Sequence, residues 1–413
     1  MKRNYFTRMV IPVIGIAFGF FFGCSSVSNV NETQNESTLS EKQLKQRLQQ
    51  IEDRISENPD NSEAYYQKGD VLYSLAQKQA PPENRVSYYR NMQNALVEAG
   101  NLYESSGNET GSENVDELLQ VSWSFEHNRG VELMQADSTL TNDSYAKAAS
   151  HFNNAITIIP DSVVSYKMKA RALYRGNRAE QAIQTLETAR SQIDNLPSAQ
   201  LEQLAFLYLE TNQHKKAVEL YEEAETFSDN NLNLLHGLAN AYIMAGRHKE
   251  AVNLLSTLVE NEPENIIYLE SHATELYQLG IQHYNSLDSI SESDSLALQQ
   301  TKAEADTLLN MAENQLKKIL QQNPDDVDIK EQLARIYKNH AVHLSQIKPL
   351  FSQNKQSDIE EEVVASLSNA VTLFEELAEN QPQDSRYWKN LYQAYSYLGM
   401  QEEANEAKAK ANL

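Results

Sequence analysis

Three stretches of the sequence carry one repeated pattern of small and large residues. They are residues 170–189 (ARALYRGNRAEQAIQTLETA), 205–224 (AFLYLETNQHKKAVELYEEA) and 239–258 (ANAYIMAGRHKEAVNLLSTL). Each begins with an alanine and has a second alanine twelve residues later, and a leucine or tyrosine follows four residues after that. The copies are 34 or 35 residues apart. A period of this length is typical of a repeat architecture in which similar units stack on one another.

Each copy has the pattern of two helices joined by a short turn. The small and apolar residues recur at spacings of three and four, which places them on one face of a helix. Asn177, Asn212 and Gly246 stand between the two halves of the copies. Asn and Gly tolerate the left-handed backbone conformation that ends a helix. We therefore expect the first helix of each pair to end at these residues.

The second alanine of each copy is Ala182, Ala217 or Ala251. We expect the closest helix contacts at these residues, because a methyl group lets two helices approach. One pair of helices cannot bury both of its faces, so it must stack on a neighbouring pair. Glycine and proline are few, 13 and 10 in 413 residues, and no alternating apolar runs are bounded by turn residues. The sequence therefore predicts an all-α protein.

This pattern resembles the tetratricopeptide repeat. The signature of that repeat places an aromatic residue, Leu-Gly, Tyr, Ala, Phe, Ala and Pro at fixed offsets over about 34 residues. Tyr208 and Tyr242 match the signature tyrosine, whereas Ala170, Ala205 and Ala239 stand in place of the signature glycine. The resemblance implies a right-handed α-solenoid of antiparallel helix pairs.

The repeat pattern extends over most of the chain. A helix predicted over residues 41–58 lacks the alanine pattern and stops at Asn58-Pro59, so we interpret it as an N-terminal capping helix. Residues 59–413 are predicted to form a solenoid of about eight such units. Three units are enlarged by inserted residues, near 62–107, 266–324 and 327–382.

The N-terminus has the layout of a bacterial lipoprotein signal peptide over residues 1–23. Basic residues precede an apolar run from residue 9 to residue 23, which is followed by Cys24, the only cysteine. The ending around Gly23 resembles a lipobox, which implies that Cys24 is acylated and becomes the new N-terminus. Residues 24–40 would then be the lipidated cysteine and a flexible linker. An ordinary signal peptide with an incidental cysteine is the alternative.

Ser25 follows the cysteine. By resemblance to lipoproteins of bacteria with two membranes, this favours the outer membrane, so we expect a lipid-anchored protein of the cell envelope. The formal charge is −23, and it would be near −26 without the signal peptide, which holds three basic and no acidic residues. Such a chain repels nucleic acids and anionic lipid surfaces, which excludes both as main partners.

In the resembled family, the first helices of successive units line a groove that binds proteins or peptides. The positions that point into that groove are the second, fifth, ninth and twelfth of each unit. The residues at these positions of the present sequence, which the resemblance predicts to line a groove, are Lys167, Arg171, Tyr174, Glu202, Phe206, Leu209, His236, Asn240, Ile243 and Tyr277. Apolar and aromatic groups flanked by cations and amides can hold an extended peptide. The alternative is that these side chains only contact neighbouring helices.

No catalytic or cofactor motif stands out, so we expect a non-catalytic scaffold with no cofactor and no metal. His340 and His343 are three residues apart on a predicted helix and could face one metal ion, which would favour a metal-dependent hydrolase. No third ligand at helical spacing supports that site. A further alternative is a glycan-binding uptake lipoprotein of the envelope, against which the two tryptophans argue.

Overall fold

The computed structural model describes residues 38–135, 141–225 and 231–413. Every regular element in these ranges is a helix, which confirms the all-α prediction. Cys24 and the predicted signal peptide lie outside the described residues. The described residues divide into an N-terminal unit, up to residue 225, and a C-terminal unit that begins at residue 231. Within the described ranges, no helix is both long and apolar enough to cross a membrane.

Consecutive helices within each unit pack against each other in antiparallel order. The helices of the N-terminal unit are α1 (Glu41–Glu57), α2 (Ser62–Gln77), α3 (Val86–Ser106), α4 (Glu109–Gln135), α5 (Asn142–Ile158), α6 (Val163–Arg175), α7 (Ala179–Gln192), α8 (Ser198–Glu210) and α9 (His214–Glu225). A 3₁₀ turn, Pro82–Arg85, lies between α2 and α3.

The C-terminal unit continues the same order of helices. They are α10 (Leu232–Ala245), α11 (His248–Asn261), α12 (Ile266–Ser286), α13 (Ser295–Gln322), α14 (Val327–Ile347), α15 (Gln353–Asn380), α16 (Ser385–Leu398) and α17 (Gln401–Lys410). Short 3₁₀ turns, Leu287–Ser289 and Lys348–Leu350, follow α12 and α14.

The turns within the regular pairs form as their residues predict. Asn177, Asn212 and Gly246 have φ angles of 57°, 58° and 71°, in the left-handed region that ends a helix. At the other end of the helices, Asn231 and Asn265 accept hydrogen bonds from the first free backbone amides of α10 and α12.

The anchor alanines lie where the helices meet. Ala182, Ala217 and Ala251 have no exposed surface, which confirms the contact that their spacing predicts. Leu186 and Leu255, one helical turn further on, are likewise buried. Burial of such apolar side chains is what holds one helix pair on the next, since each pair exposes apolar faces when alone.

Helix length separates the regular pairs from the enlarged ones. The helices α6 to α11 have 12 to 14 residues, whereas α12 and α14 have 21 and α13 and α15 have 28. The added turns extend the hydrophobic core of the C-terminal unit. It includes the buried side chains of Leu287, Leu298, Ile347, Phe351 and Ile359.

Candidate functional site

The first helices α6 and α8 place several predicted groove residues on one face. The Tyr174 ring meets the Phe206 ring edge-on, with centroids 5.5 Å apart. Phe206 is 37 % exposed, which is unusual for a phenylalanine next to a packed helix. The Tyr174 hydroxyl donates to Glu210 Oε2 at 2.8 Å, and the Gln203 amide lies 3.5 Å from the Lys167 carbonyl. We call the surface formed by Lys167, Arg171, Tyr174, Glu202, Phe206 and Glu210 the α6–α8 face.

The α6–α8 face carries both signs of charge. Burial and the neighbouring Arg175 lower the pKa of Arg171, and burial raises the pKa of Glu202 although Lys167 opposes that shift. Burial and Glu210 raise the pKa of Tyr174 to about 12, so its hydroxyl stays a donor at neutral pH. The face therefore offers two cations beside an aromatic pair, with carboxylates at its margins.

Leu209 does not belong to this face. It is buried with 8 % of its surface exposed, so its side chain packs between helices rather than reaching a partner. The physical reason is that α8 is apolar along most of its length, and Leu207, Tyr208 and Leu209 are all buried.

The predicted groove side chains of the C-terminal unit are partly covered by neighbouring helices. His236, Asn240, Ile243 and Tyr277 are half-buried, and Ile243 and Tyr277 pack against the core. The His236 ring lies 5.6 Å from the Tyr268 ring, and burial lowers the pKa of His236. These four residues stay predictions as binding residues.

The same helix register continues into α12, α14 and α16 with polar side chains. Asn339 of α14 donates to the Tyr277 hydroxyl at 2.8 Å, so Tyr277 links two first helices. The Lys338 ammonium donates to Asn390 Oδ1 and Gln393 Oε1 at 2.6 and 2.7 Å. Sequence reasoning missed these residues, although the groove positions could have been carried forward into α14 and α16.

Lys338 is part of a group of cations on this face. Burial, and then the charges of Lys389 and Arg335, lower the pKa of Lys338. In a chain of charge −23, such a group of cations stands out against its surroundings. This group of cations is a second candidate surface, within the C-terminal unit.

The two histidines weighed as metal ligands belong to internal packing. The His340 ring lies between the Tyr284 hydroxyl, 2.9 Å from Nε2, and the Ser366 hydroxyl, 3.3 Å from Nδ1. The His343 ring stacks on Tyr284 with centroids 5.7 Å apart. Throughout the described ranges, no group of three or more His, Cys, Asp or Glu side chains is placed to hold a metal ion.

A comparison with protein families finds one match, over residues 138–278, to the family described as the Psidin N-terminal TPR repeats region. This match covers the three copies of the pattern and the three helix pairs, α6 to α11, that they form. The chain contains tetratricopeptide repeats. No curated protein matches the sequence.

Several solved structures share a weak likeness with the chain. YrrB, a TPR protein with an unusual peptide-binding site, is 17 % identical, with 58 % of this chain and 96 % of that chain covered and a TM-score of 0.37. MamA from Desulfovibrio magneticus RS-1 is 12 % identical, with 54 % of this chain and 97 % of that chain covered and a TM-score of 0.34.

A complex of Naa15 and Naa10 bound to HypK-THB is 16 % identical, with 90 % of this chain and 61 % of that chain covered, at a TM-score of 0.33. Likeness at this level says nothing about what this chain binds.

Proposed function

We propose that this protein is a non-catalytic scaffold that binds a protein or peptide through the first-helix faces of its tetratricopeptide repeats. The observation that carries this proposal is the α6–α8 face, where the partly exposed Phe206 lies against Tyr174 beside Lys167 and Arg171. Aromatic anchors with cations around them are enriched where proteins bind one another.

The chemistry of this face favours a partner segment with both an apolar side chain and a carboxylate. Phe206 and the Tyr174 ring offer apolar contact, while Lys167 and Arg171, one helical turn apart, offer charge-assisted donors. Glu202 and Glu210 at the margins disfavour long acidic runs, because a like charge opposite them would raise the energy of the complex.

We also propose that the scaffold is held in the bacterial cell envelope by lipid on Cys24. What supports this is the order of basic residues, apolar run, Gly23 and Cys24, followed by a polar segment that would act as a spacer. Two or more acyl chains on one cysteine hold a protein on a membrane. The scaffold would then collect its partner at the membrane surface.

The binding proposal is tested by reversing the two cations. The partner is first identified by crosslinking in intact envelopes, and its affinity is then measured for Lys167→Glu with Arg171→Glu. Each lost charge-assisted bond removes about 1.5–3 kcal/mol, so we expect at least a tenfold weaker affinity with unchanged melting. A matched control carries Lys215→Glu and Lys249→Glu on the second helices α9 and α11, where both lysines are exposed.

The control should bind as the unchanged protein does, since it has the same net charge as the test variant. If the control lost binding and the α6–α8 variant kept it, the binding surface would lie on the second helices instead.

The anchoring proposal is tested by Cys24→Ala. We expect this variant to leave the membrane fraction while its circular dichroism and melting stay unchanged. The fraction is read by immunoblot after ultracentrifugation. A variant that still sediments with membranes and is released only by detergent would contradict lipidation at Cys24.

A further inference from the structure

One position in the first helices is a leucine in some repeats and a basic residue in others. The seventh residue of α8, α10, α14 and α16 is a leucine, namely Leu204, Leu238, Leu333 and Leu391, and each is at most 3 % exposed. The seventh residue of α6 is Lys169, and that of α12 is His272. A position that is a buried leucine in four first helices therefore holds a basic side chain in these two. In α2 it holds Lys68, whose ammonium pairs with Glu52 at 2.8 Å, and in α4 it holds Val115.

Lys169 has a neutral partner. Its ammonium donates to the amide oxygen of Asn153, on α5, at 2.8 Å. Among the described residues, no carboxylate lies within ion-pair distance of this ammonium. Burial lowers the pKa of Lys169, as expected for a cation with no counter-charge. The position thus carries the cost of a partly buried charge that leucine would avoid.

A cleft of about 200 Å³ opens beside Lys169. Its lining includes the polar side chains of Lys169, Asn153 and Arg178 and the apolar side chains of Val86, Ala149 and Leu173. This volume is several times the roughly 30 Å³ that a water molecule occupies in the liquid.

The connection between α2 and α3 forms one wall of the cleft. Glu83, in the 3₁₀ turn Pro82–Arg85, lines it and is the one carboxylate among its lining residues. The regular pairs from α6 to α11 have no such connection, because their helices are joined by turns of a few residues. The cleft is therefore a product of the enlarged first repeat and the lysine in the third.

We infer that this cleft binds a small organic acid. Its carboxylate would accept hydrogen bonds from Lys169 and Arg178, and its short hydrocarbon chain would lie against Val86, Ala149 and Leu173. A carboxylate supplies the counter-charge that Lys169 lacks, and bonds between two charged groups are the stronger ones. The half-apolar lining favours an acid with a hydrocarbon part over inorganic phosphate. This site is independent of the α6–α8 face and of the proposed partner.

The probe for this site is butyrate, whose size and single charge match the cleft. Equilibrium dialysis of the full chain against labelled butyrate should show saturable binding at one site. Butyramide, which has the same shape without the charge, should bind at least tenfold more weakly. The lysine side-chain NMR signals should show one ammonium whose pKa rises when butyrate is added.

The decisive variant is Lys169→Leu, which restores the residue that four other first helices have. We expect it to fold, to melt at least as high as the unchanged protein, and to bind butyrate at least tenfold more weakly. The matched control is His272→Leu, the same change at the same position of α12, which should bind butyrate normally. Arg178→Gln, at an exposed residue, tests the second cation and should weaken binding several-fold even if Lys169→Leu failed to fold.

Three outcomes would overturn the inference. One is equal binding of butyrate by Lys169→Leu and the unchanged protein. Another is equal affinity for butyrate and butyramide, which would mean that charge is not recognised. The third is saturable binding of inorganic phosphate with none of butyrate, which would make the cleft a different anion site.

Discussion

Each unit contains a carboxylate with several donors, but the two carboxylates differ in how they are surrounded. In the N-terminal unit, Glu126 of α4 is fully buried. It accepts from Arg85 at 2.8 Å, from the Tyr89 hydroxyl at 2.7 Å, from His151 at 2.6 Å and from Asn154 at 3.1 Å. Its side chain has no contact with solvent.

In the C-terminal unit, Asp306 of α13 plays the corresponding part, and 24 % of its side chain is exposed. Lys302 lies 2.8 Å away, His340 lies 3.4 Å away, and the Tyr284 hydroxyl donates to the same carboxylate. These donors have other partners. Lys302 also contacts Glu362 at 2.5 Å, and His340 lies between Tyr284 and Ser366.

The difference shows two ways of stabilising a repeat that departs from the regular length. Burial alone would raise the pKa of both carboxyls, but the hydrogen bonds outweigh it and the pKa of each is lowered. Around Glu126, one fully buried charge is the only carboxylate that the four donors share, although Arg85 and Asn154 also donate to the Gln79 and Pro82 carbonyls. Around Asp306, two carboxylates and a hydroxyl share the donors near solvent, so that no single group is indispensable.

The largest expected effect is therefore the loss of Glu126. Glu126→Ala leaves Arg85 largely buried without its counter-charge, which costs about 3–5 kcal/mol of the free energy of unfolding. Asp306→Ala leaves the buried Lys302 still paired with Glu362, and should cost about 1–2 kcal/mol. Thermal and denaturant unfolding of the two variants measures the difference.

Glu126→Gln is the control, because it keeps the shape of the side chain and some of its hydrogen bonds. Its free energy of unfolding should lie between those of the unchanged protein and Glu126→Ala. Equal losses for Glu126→Ala and Asp306→Ala would show that sharing of donors does not protect the C-terminal network.

The second effect concerns His272, the basic residue at the seventh position of α12. It is 2 % exposed, and among the described residues neither ring nitrogen has a hydrogen-bond partner. Burial, and then the charge of Lys318, lower its pKa from 6.5 to about 4. The folded protein thus keeps the ring neutral where the unfolded chain protonates it.

Stability should therefore be complete above pH 6.5 and fall as the pH drops from 6.5 to 4, by roughly 3 kcal/mol at most. His272→Leu should reduce this slope and raise the melting temperature, and the part that remains belongs to His127, His236 and His343, whose pKa values burial also lowers. Melting curves at intervals across that range measure the slope, and an unchanged slope in His272→Leu would show that His272 does not contribute to it. The carboxyls with lowered pKa lose their contribution only below about pH 5, so the part of the slope between pH 6.5 and pH 5 belongs to the histidines.

The regular part of the fold could be predicted because its determinants are local. Ala182 and Ala251 are spaced to meet a neighbouring helix, and Asn177 and Gly246 stand where a helix must end. The hydrogen bonds to Glu126 could not be predicted from the sequence. Arg85 and His151 are 41 and 25 residues from Glu126 along the chain and reach it only once α3, α4 and α5 are packed.

The candidate site was partly predictable for the same reason. The register of α6 and α8 placed Tyr174 and Phe206 together from the repeat alone. Lys169 was visible as a charged residue at a leucine position, but the cleft beside it depends on Glu83 and Val86, more than eighty residues earlier. A periodic pattern does not show where an inserted connection will fold.

The smallest effect tests the edge of the C-terminal network. Ser366 is buried, and its hydroxyl is 3.3 Å from His340 Nδ1, a long hydrogen bond. If the network shares its donors, Ser366→Ala should cost under about 1 kcal/mol, because His340 keeps the Tyr284 hydroxyl and is close to solvent. The matched control is Ser368→Ala, an exposed serine two residues along α15 whose hydroxyl bonds only to the Val364 carbonyl.

Both variants gain the same small helix preference from the change of serine to alanine, so the difference between their melting temperatures isolates the contact with His340. We expect that difference to be a few degrees or less. If Ser366→Ala lost as much stability as Asp306→Ala, the serine would fix the orientation of His340 for the whole network. The C-terminal cluster would then depend on each of its members, as the Glu126 cluster depends on its carboxylate, and helix length alone would not decide how a repeat is stabilised.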